Sequence, residues 1–175
     1  MKLSLKRLQI LGFVFSVVVG TFLHFLYVWS GEKTVFAPIS AVNESTFEHM
    51  KILFFPLFVF AIIEFFFVGK DHNNYWCIKL AGILIGTILI PVLFYTYTGV
   101  FGMSIDLINI SIFFISSAVA FIVETILFKS GREICFLPIL AFVFLCAIAT
   151  LFIIFTFAPP HIPIFKDPIT REYGI

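Results

Sequence analysis

Five long apolar runs, separated by short polar breaks, leave this chain few ways to fold. At a rise of about 1.5 Å per residue, a run of some twenty residues crosses a hydrocarbon layer about 30 Å thick. The runs fall roughly at residues 9–29, 47–68, 78–98, 107–128 and 134–158, and a polar tail follows over 159–175. They predict an all-α, single-domain integral membrane bundle of about five transmembrane helices, with the lipid bilayer as its solvent. Charged residues make up only 12% of the chain, about half the share usual in soluble domains. The net charge of +1 gives no electrostatic footprint for nucleic acid.

Lys2, Lys6 and Arg7 precede the first run in the manner of a secretory signal. That run continues to Gly31 without an A-x-A-like cleavage site, so it reads as an uncleaved first span. Loop charges set the expected orientation. Lys2, Lys6, Arg7, Lys70, Lys79, Lys129 and Arg132 fall on one side, and Lys33, Lys51, Lys166 and Arg171 on the other. Seven against four predicts a cytoplasmic N-terminus and an external C-terminus. Tyr27, Trp29, Tyr95 and Tyr97 near one boundary, and Tyr75 and Trp76 near the other, form the expected aromatic belts.

Polar residues concentrate in Asn43-Glu44-Ser45-Thr46-Phe47-Glu48-His49-Met50-Lys51, where a loop meets the second run. Such groups are costly beside lipid, so they must face water, a partner or a site. Ser45-x-x-Glu48 matches a capping box, and Asn43 is an alternative cap with Glu44 at the positive end of the helix dipole. On a helix Glu44, Glu48 and Lys51 would share a face, which gives a self-neutralised helix start. The functional alternative adds His24, from the outer third of the first span. His24, Glu44 and Glu48 suit a divalent metal such as zinc, with water as a further ligand and possible nucleophile. His49 follows Glu48 and points about 100° away, which weakens its claim to the same site. No H-E-x-x-H signature is present. Asn43, Glu44, Glu48, His49, Lys51 and His24 are therefore the candidate ligand-binding residues.

Glu64 and Glu124 lie within spans, near Lys70 and Lys129 respectively, and are expected to pair there. Gly82 and Gly86 give a G-x-x-x-G spacing that permits close helix packing. Asn43-Glu44-Ser45 matches a glycosylation sequon, weakly, because it abuts a membrane helix. Cys77, Cys135 and Cys146 contain no CxxC pair and read as buried, inert thiols. The tail, Pro159-Pro160-His161-Ile162-Pro163-Ile164-Phe165-Lys166-Asp167-Pro168, is stiffened by proline. It either covers the polar cluster, bringing His161 or Asp167 near it, or lies along the interface.

His24-Phe25-Leu26-Tyr27, the Asn43–Lys51 segment and the Pro-Pro-His-x-Pro-x-Phe-x-Asp-Pro tail with Tyr173-Gly174 together resemble a family of small bacterial five-span membrane proteins of unknown function. Members of that family carry proline where this chain has Ala41 and tryptophan where it has Phe47. The resemblance implies a bacterial cytoplasmic membrane and brings no activity with it. The residues alone support three readings. The first is a membrane protein binding a polar ligand, ion or lipid headgroup at the outward cluster. The second is a metal-dependent membrane hydrolase using His24 with Glu44 or Glu48. The third is a small proton-coupled transporter using Glu64 or Glu124, against which the lack of an internal repeat counts.

Overall fold

Each apolar run becomes one helix, because nothing inside it supplies a turn. In the computed structural model, which describes residues 4–132, 134–135 and 137–175, the helices are α1 (Leu5–Trp29), α2 (Thr46–Val68), α3 (Tyr75–Phe101), α4 (Asp106–Ser130) and α5 (Pro138–Phe157). Short 3-10 turns occupy Gly69–Asp71 and Pro163–Phe165. All five helices are long and apolar enough to cross a bilayer, so the chain is a multi-pass membrane protein. Lys2, counted in the charge asymmetry, and Glu133, at the end of the fourth loop, lie outside the described residues.

The ends of the helices follow local chemistry. Ser45 caps α2, its Oγ accepting the Glu48 N–H at 3.4 Å. Gly102 and Gly131 follow α3 and α4 at φ of +69° and +63°, a left-handed turn that a side chain would resist. α5 starts at Pro138 rather than near residue 134, since proline is pre-set for the first turn of a helix.

α2 is the central helix. Over its most apolar stretch 56% is buried, against 22% for α5, so α2 packs inside while α5 gives most of its surface to lipid. α2 touches α1, α3, α4, α5 and the Pro163–Phe165 turn. Phe54, Leu57, Phe60 and Ala61 of α2 form the middle of the core with Ile83, Phe121 and Phe152. Small residues let the helices close. A Cβ on Gly12 would fall 2.5 Å from the Phe60 and Phe121 rings, and one on Gly20 2.4 Å from Phe113. The Gly82–Gly86 spacing joins α3 to α4 within the chain, with Gly86 against the Ser116 carbonyl and Gly82 against the Glu124 side chain.

Charged groups survive in this core as two layers, one toward each end of the bundle. The end bearing the 159–175 segment is called the tail end below, and the end bearing Leu5 the N-terminal end. At the N-terminal end Glu64 and Glu124 do not use Lys70 and Lys129, as the sequence suggested. Both reach Lys79, which faces inward at 1% exposure. Nearness in sequence misled here, because Lys70 and Lys129 sit in or beside exposed turns while Lys79 shares the core face of α3. The cysteine expectation is also corrected. Cys77 and Cys135 form a disulfide with Cα atoms 6.2 Å apart, tying the start of α3 to the segment before α5. Cys146 is free.

Candidate metal centre at the tail end

The loop between α1 and α2 is held from several directions. Asn43 Oδ1 accepts the Ser45 N–H at 2.9 Å, forming an Asx turn, and its Nδ2 donates to the Gly174 carbonyl at 2.9 Å. The sequon asparagine is thus engaged at both ends. Asp167 Oδ2 accepts the Glu44 N–H at 3.4 Å, while Oδ1 caps Ile169 N–H at 2.7 Å. Phe165 is buried against Phe47 and Phe155, with ring centroids 4.4 and 5.5 Å away. The tail therefore covers the loop, with Asp167 beside it; His161 stacks on Tyr173 instead.

This fixing of the loop separates the two glutamates. Because Ser45 is the cap, Glu44 precedes the helix and does not share its face. Glu48, in the first turn, points into the core at 1% exposure. Its Oε2 accepts the Val42 N–H at 2.9 Å and meets Lys51 Nζ at 2.6 Å. Only half of the expected capping box forms, since Glu48 reaches Val42 rather than the Ser45 N–H. Lys51 is fully buried and also donates to the Ala37 carbonyl at 2.9 Å and Thr156 Oγ1 at 2.8 Å. Its three protons have three acceptors, joining α2 to the loop and to α5. Asn43, Glu48 and Lys51 thus hold the structure around the site.

With Glu48 turned inward, His49 faces α1. Glu44 Oε2 lies 3.7 Å from His24 Nε2 and 3.6 Å from His49 Nε2. The two imidazoles meet edge to face at 5.3 Å. One donor atom from each of the three residues lies within 4.8 Å of the others. A tetrahedral zinc site with bonds of about 2.0–2.1 Å has edges of about 3.3 Å, so both histidine–glutamate separations are already near an edge. His49 Nδ1 lies 2.9 Å from the Ser45 carbonyl. A carbonyl only accepts, so Nδ1 carries the proton. In the neutral ring, Nε2 therefore presents its lone pair to Glu44 and His24. Such a backbone partner is what orients a metal-binding histidine. The sequence signal for it was present: in a capped helix, the residue four past the cap sits over the cap's carbonyl.

The cluster opens onto a cavity of about 550 Å³ between α1 and α4. Gly20, Ile52 and Phe113 form apolar wall, while Asp106 and Asn109 of α4 add polar groups opposite the histidines. A second cavity of about 280 Å³ shares Glu44, His49, Asp106 and Asn109 and runs toward Phe94 of α3. Neither Asp106 nor Asn109 figured in the sequence reading, because a polar residue at a helix start ordinarily serves as a cap. Asn109 is oriented by Tyr97 and by Ser104, which accepts its Nδ2 proton at 2.9 Å. His24, Glu44 and His49 have side-chain exposures of 27%, 43% and 23%, so the cluster is reachable without being a surface patch.

No curated protein and no solved structure matches the chain. A family model described as a family of unknown function, DUF6512, matches residues 2–175, and the chain belongs to that family.

Proposed function

We propose that the protein binds a divalent transition metal through His24, Glu44 and His49, and that the metal holds the polar end of a ligand lodged between α1 and α4. The observation that carries this reading is the Ser45 carbonyl on His49 Nδ1, which leaves Nε2 free beside Glu44. Three protein ligands leave a position open, as in metal sites that handle a ligand. The cavity walls are apolar around a polar mouth, which suits an amphipathic molecule such as a lipid. Metal analysis of purified protein after zinc loading and dialysis tests it. About one equivalent is expected in the wild type and in Glu48→Gln, with loss in His24→Ala, Glu44→Ala and His49→Ala. Well-folded wild type that holds no metal overturns the reading.

A second reading, metal-dependent hydrolysis of a lipid or peptide, is favoured by Asp106. This carboxylate lines both cavities beside the cluster, without being one of the three ligands. A metal held by the three residues would supply Lewis acidity to activate water toward an ester carbonyl, and Asp106 would take that water's proton and return it to the departing alcohol as the ester C–O bond breaks. Release of product from ester-linked lipid substrates, abolished in Asp106→Asn with metal retained, is the expected result.

The loop charges support a cytoplasmic N-terminus, with the proposed metal site on the outer face of a bacterial cytoplasmic membrane. The Cys77–Cys135 disulfide at the N-terminal end pulls the other way, since cytosolic thiols are kept reduced. With the buried Lys79 and Lys51 set aside, the asymmetry still runs six against three over the remaining loops and ends, and carries more weight. Reporter fusions at the C-terminus should be active only outside the cell.

A further inference from the structure

At the N-terminal end, three charged side chains share a space closed off from water. Glu64 of α2, Lys79 of α3 and Glu124 of α4 are 0%, 1% and 1% exposed. Lys79 Nζ lies between the carboxylates, 2.5 Å from Glu124 Oε2 and in contact with Glu64 Oε2. Gln9 of α1 donates from Nε2 to Glu64 Oε1 at 2.7 Å. The Tyr75 hydroxyl of α3 is 2.7 Å from the Ala61 carbonyl and 3.1 Å from Glu64 Oε2. α5 brings no charged side chain.

Two separate counts leave this cluster short of one proton. The first is charge. The Lys79 ammonium is surrounded by the Tyr75, Phe121 and Phe128 rings at 5.7, 5.6 and 5.8 Å, which favours its charged form. One cation against two carboxylates leaves an excess negative charge in a dry interior. A carboxyl group in that position relieves the excess by taking up a proton, as paired carboxylates do elsewhere.

The second count is of hydrogen bonds. Gln9 is 4% exposed and its Oε1, in the same cluster, has no donor among the described residues. Tyr75 has one hydroxyl proton, which the nearer Ala61 carbonyl takes, so its oxygen is free to accept. Acceptors outnumber protons here, and an unmet buried acceptor is a penalty that one added proton reduces.

We propose that Gln9, Glu64, Tyr75, Lys79 and Glu124 form a proton-binding site within the membrane, in which the two carboxyl groups hold one proton between them at neutral pH. Glu124 bears it. Glu64 has the Gln9 amide besides Lys79, and so is the better stabilised as an anion. Glu124 lies in the space left by Gly82, where a Cβ would come within 2.4 Å of its Cγ and 2.8 Å of its Oε1. The site is separate from the metal centre and stands or falls without it.

Infrared spectroscopy of the purified protein in lipid at neutral pH is the test. The wild type should show one protonated-carboxyl C=O stretch. The band should vanish in Glu124→Gln and in Glu64→Gln, each of which leaves one carboxylate facing one lysine, and persist in Glu48→Gln. Thermal unfolding of each variant identifies the folded samples. A folded wild type with no such band overturns the proposal, as does a band that survives both the Glu64 and Glu124 replacements. If one variant fails to fold, the wild-type spectrum and the other variant still decide.

Discussion

At the tail end Glu48 meets one lysine, while at the N-terminal end Lys79 meets two glutamates. Both groups are sealed from water. In the first, Lys51 has three protons and three acceptors, and the charges cancel. In the second, the charges do not cancel and Gln9 Oε1 is left unmet. The comparison separates a buried ion pair that merely fastens helices from one with an appetite for a ligand. It also shows why the tail-end site is assembled from neighbours of the fastened pair. Once Glu48 is committed to Lys51 and Val42, His49 and Glu44 are left to face His24 and the cavity.

The sharpest way to break the comparison is to remove each shared cation. Lys79→Met leaves the ionised Glu64 without its cation and should destabilise the protein by about 3–5 kcal/mol in denaturant unfolding. Adding Glu64→Gln and Glu124→Gln to it should recover most of that loss. Lys51→Met should lose about 3 kcal/mol, restored largely by a single added change, Glu48→Gln. In the Lys79→Met background, Glu64→Gln alone, which leaves Glu124 protonated, should recover much of the loss; if it recovers none, the proton is not held as described. Gly82→Ala, which pushes a methyl against Glu124, should lose about 1–3 kcal/mol in the same assay. Ser45→Ala removes the α2 cap and should lose about 1 kcal/mol. His49→Ala should change stability least, by less than about 1 kcal/mol, because the ring is partly exposed. It should nevertheless abolish metal retention, which elemental analysis reads directly.

The five helices were legible because the length of an apolar run is itself the physical requirement for spanning lipid. The capping serine was legible for a similar reason, since its partner is three residues away. Of the candidate cluster, His24 and Glu44 are legible together from the polarity of one and the position of the other. Glu48 was grouped with them on the assumption that Glu44 is helical, and the Asx turn at Asn43 removes that assumption. His49 does point away from Glu48, and this is what brings it to the cluster. Lys79 was counted among loop charges because it sits at the edge of a span. What the sequence offered, and periodicity could not weigh, was an intramembrane lysine with two intramembrane glutamates to satisfy. Their separations along the chain are long, and only the packing of α3 against α2 and α4 brings them together.

The docking of the tail on the Asn43–Glu44 loop has a consequence for the order in which the protein can mature. Synthesis proceeds from the N-terminus, and the proton-binding cluster has all its side chains once α4 has been made. The three proposed metal ligands have emerged by then too, but the loop that carries Glu44 still lacks Asp167 and Gly174. An insertion intermediate therefore carries the proposed metal ligands before it has the clamp that fixes the Glu44 loop. On the proposed reading, metal loading would be a late event, which follows insertion of α5 and the folding back of the tail.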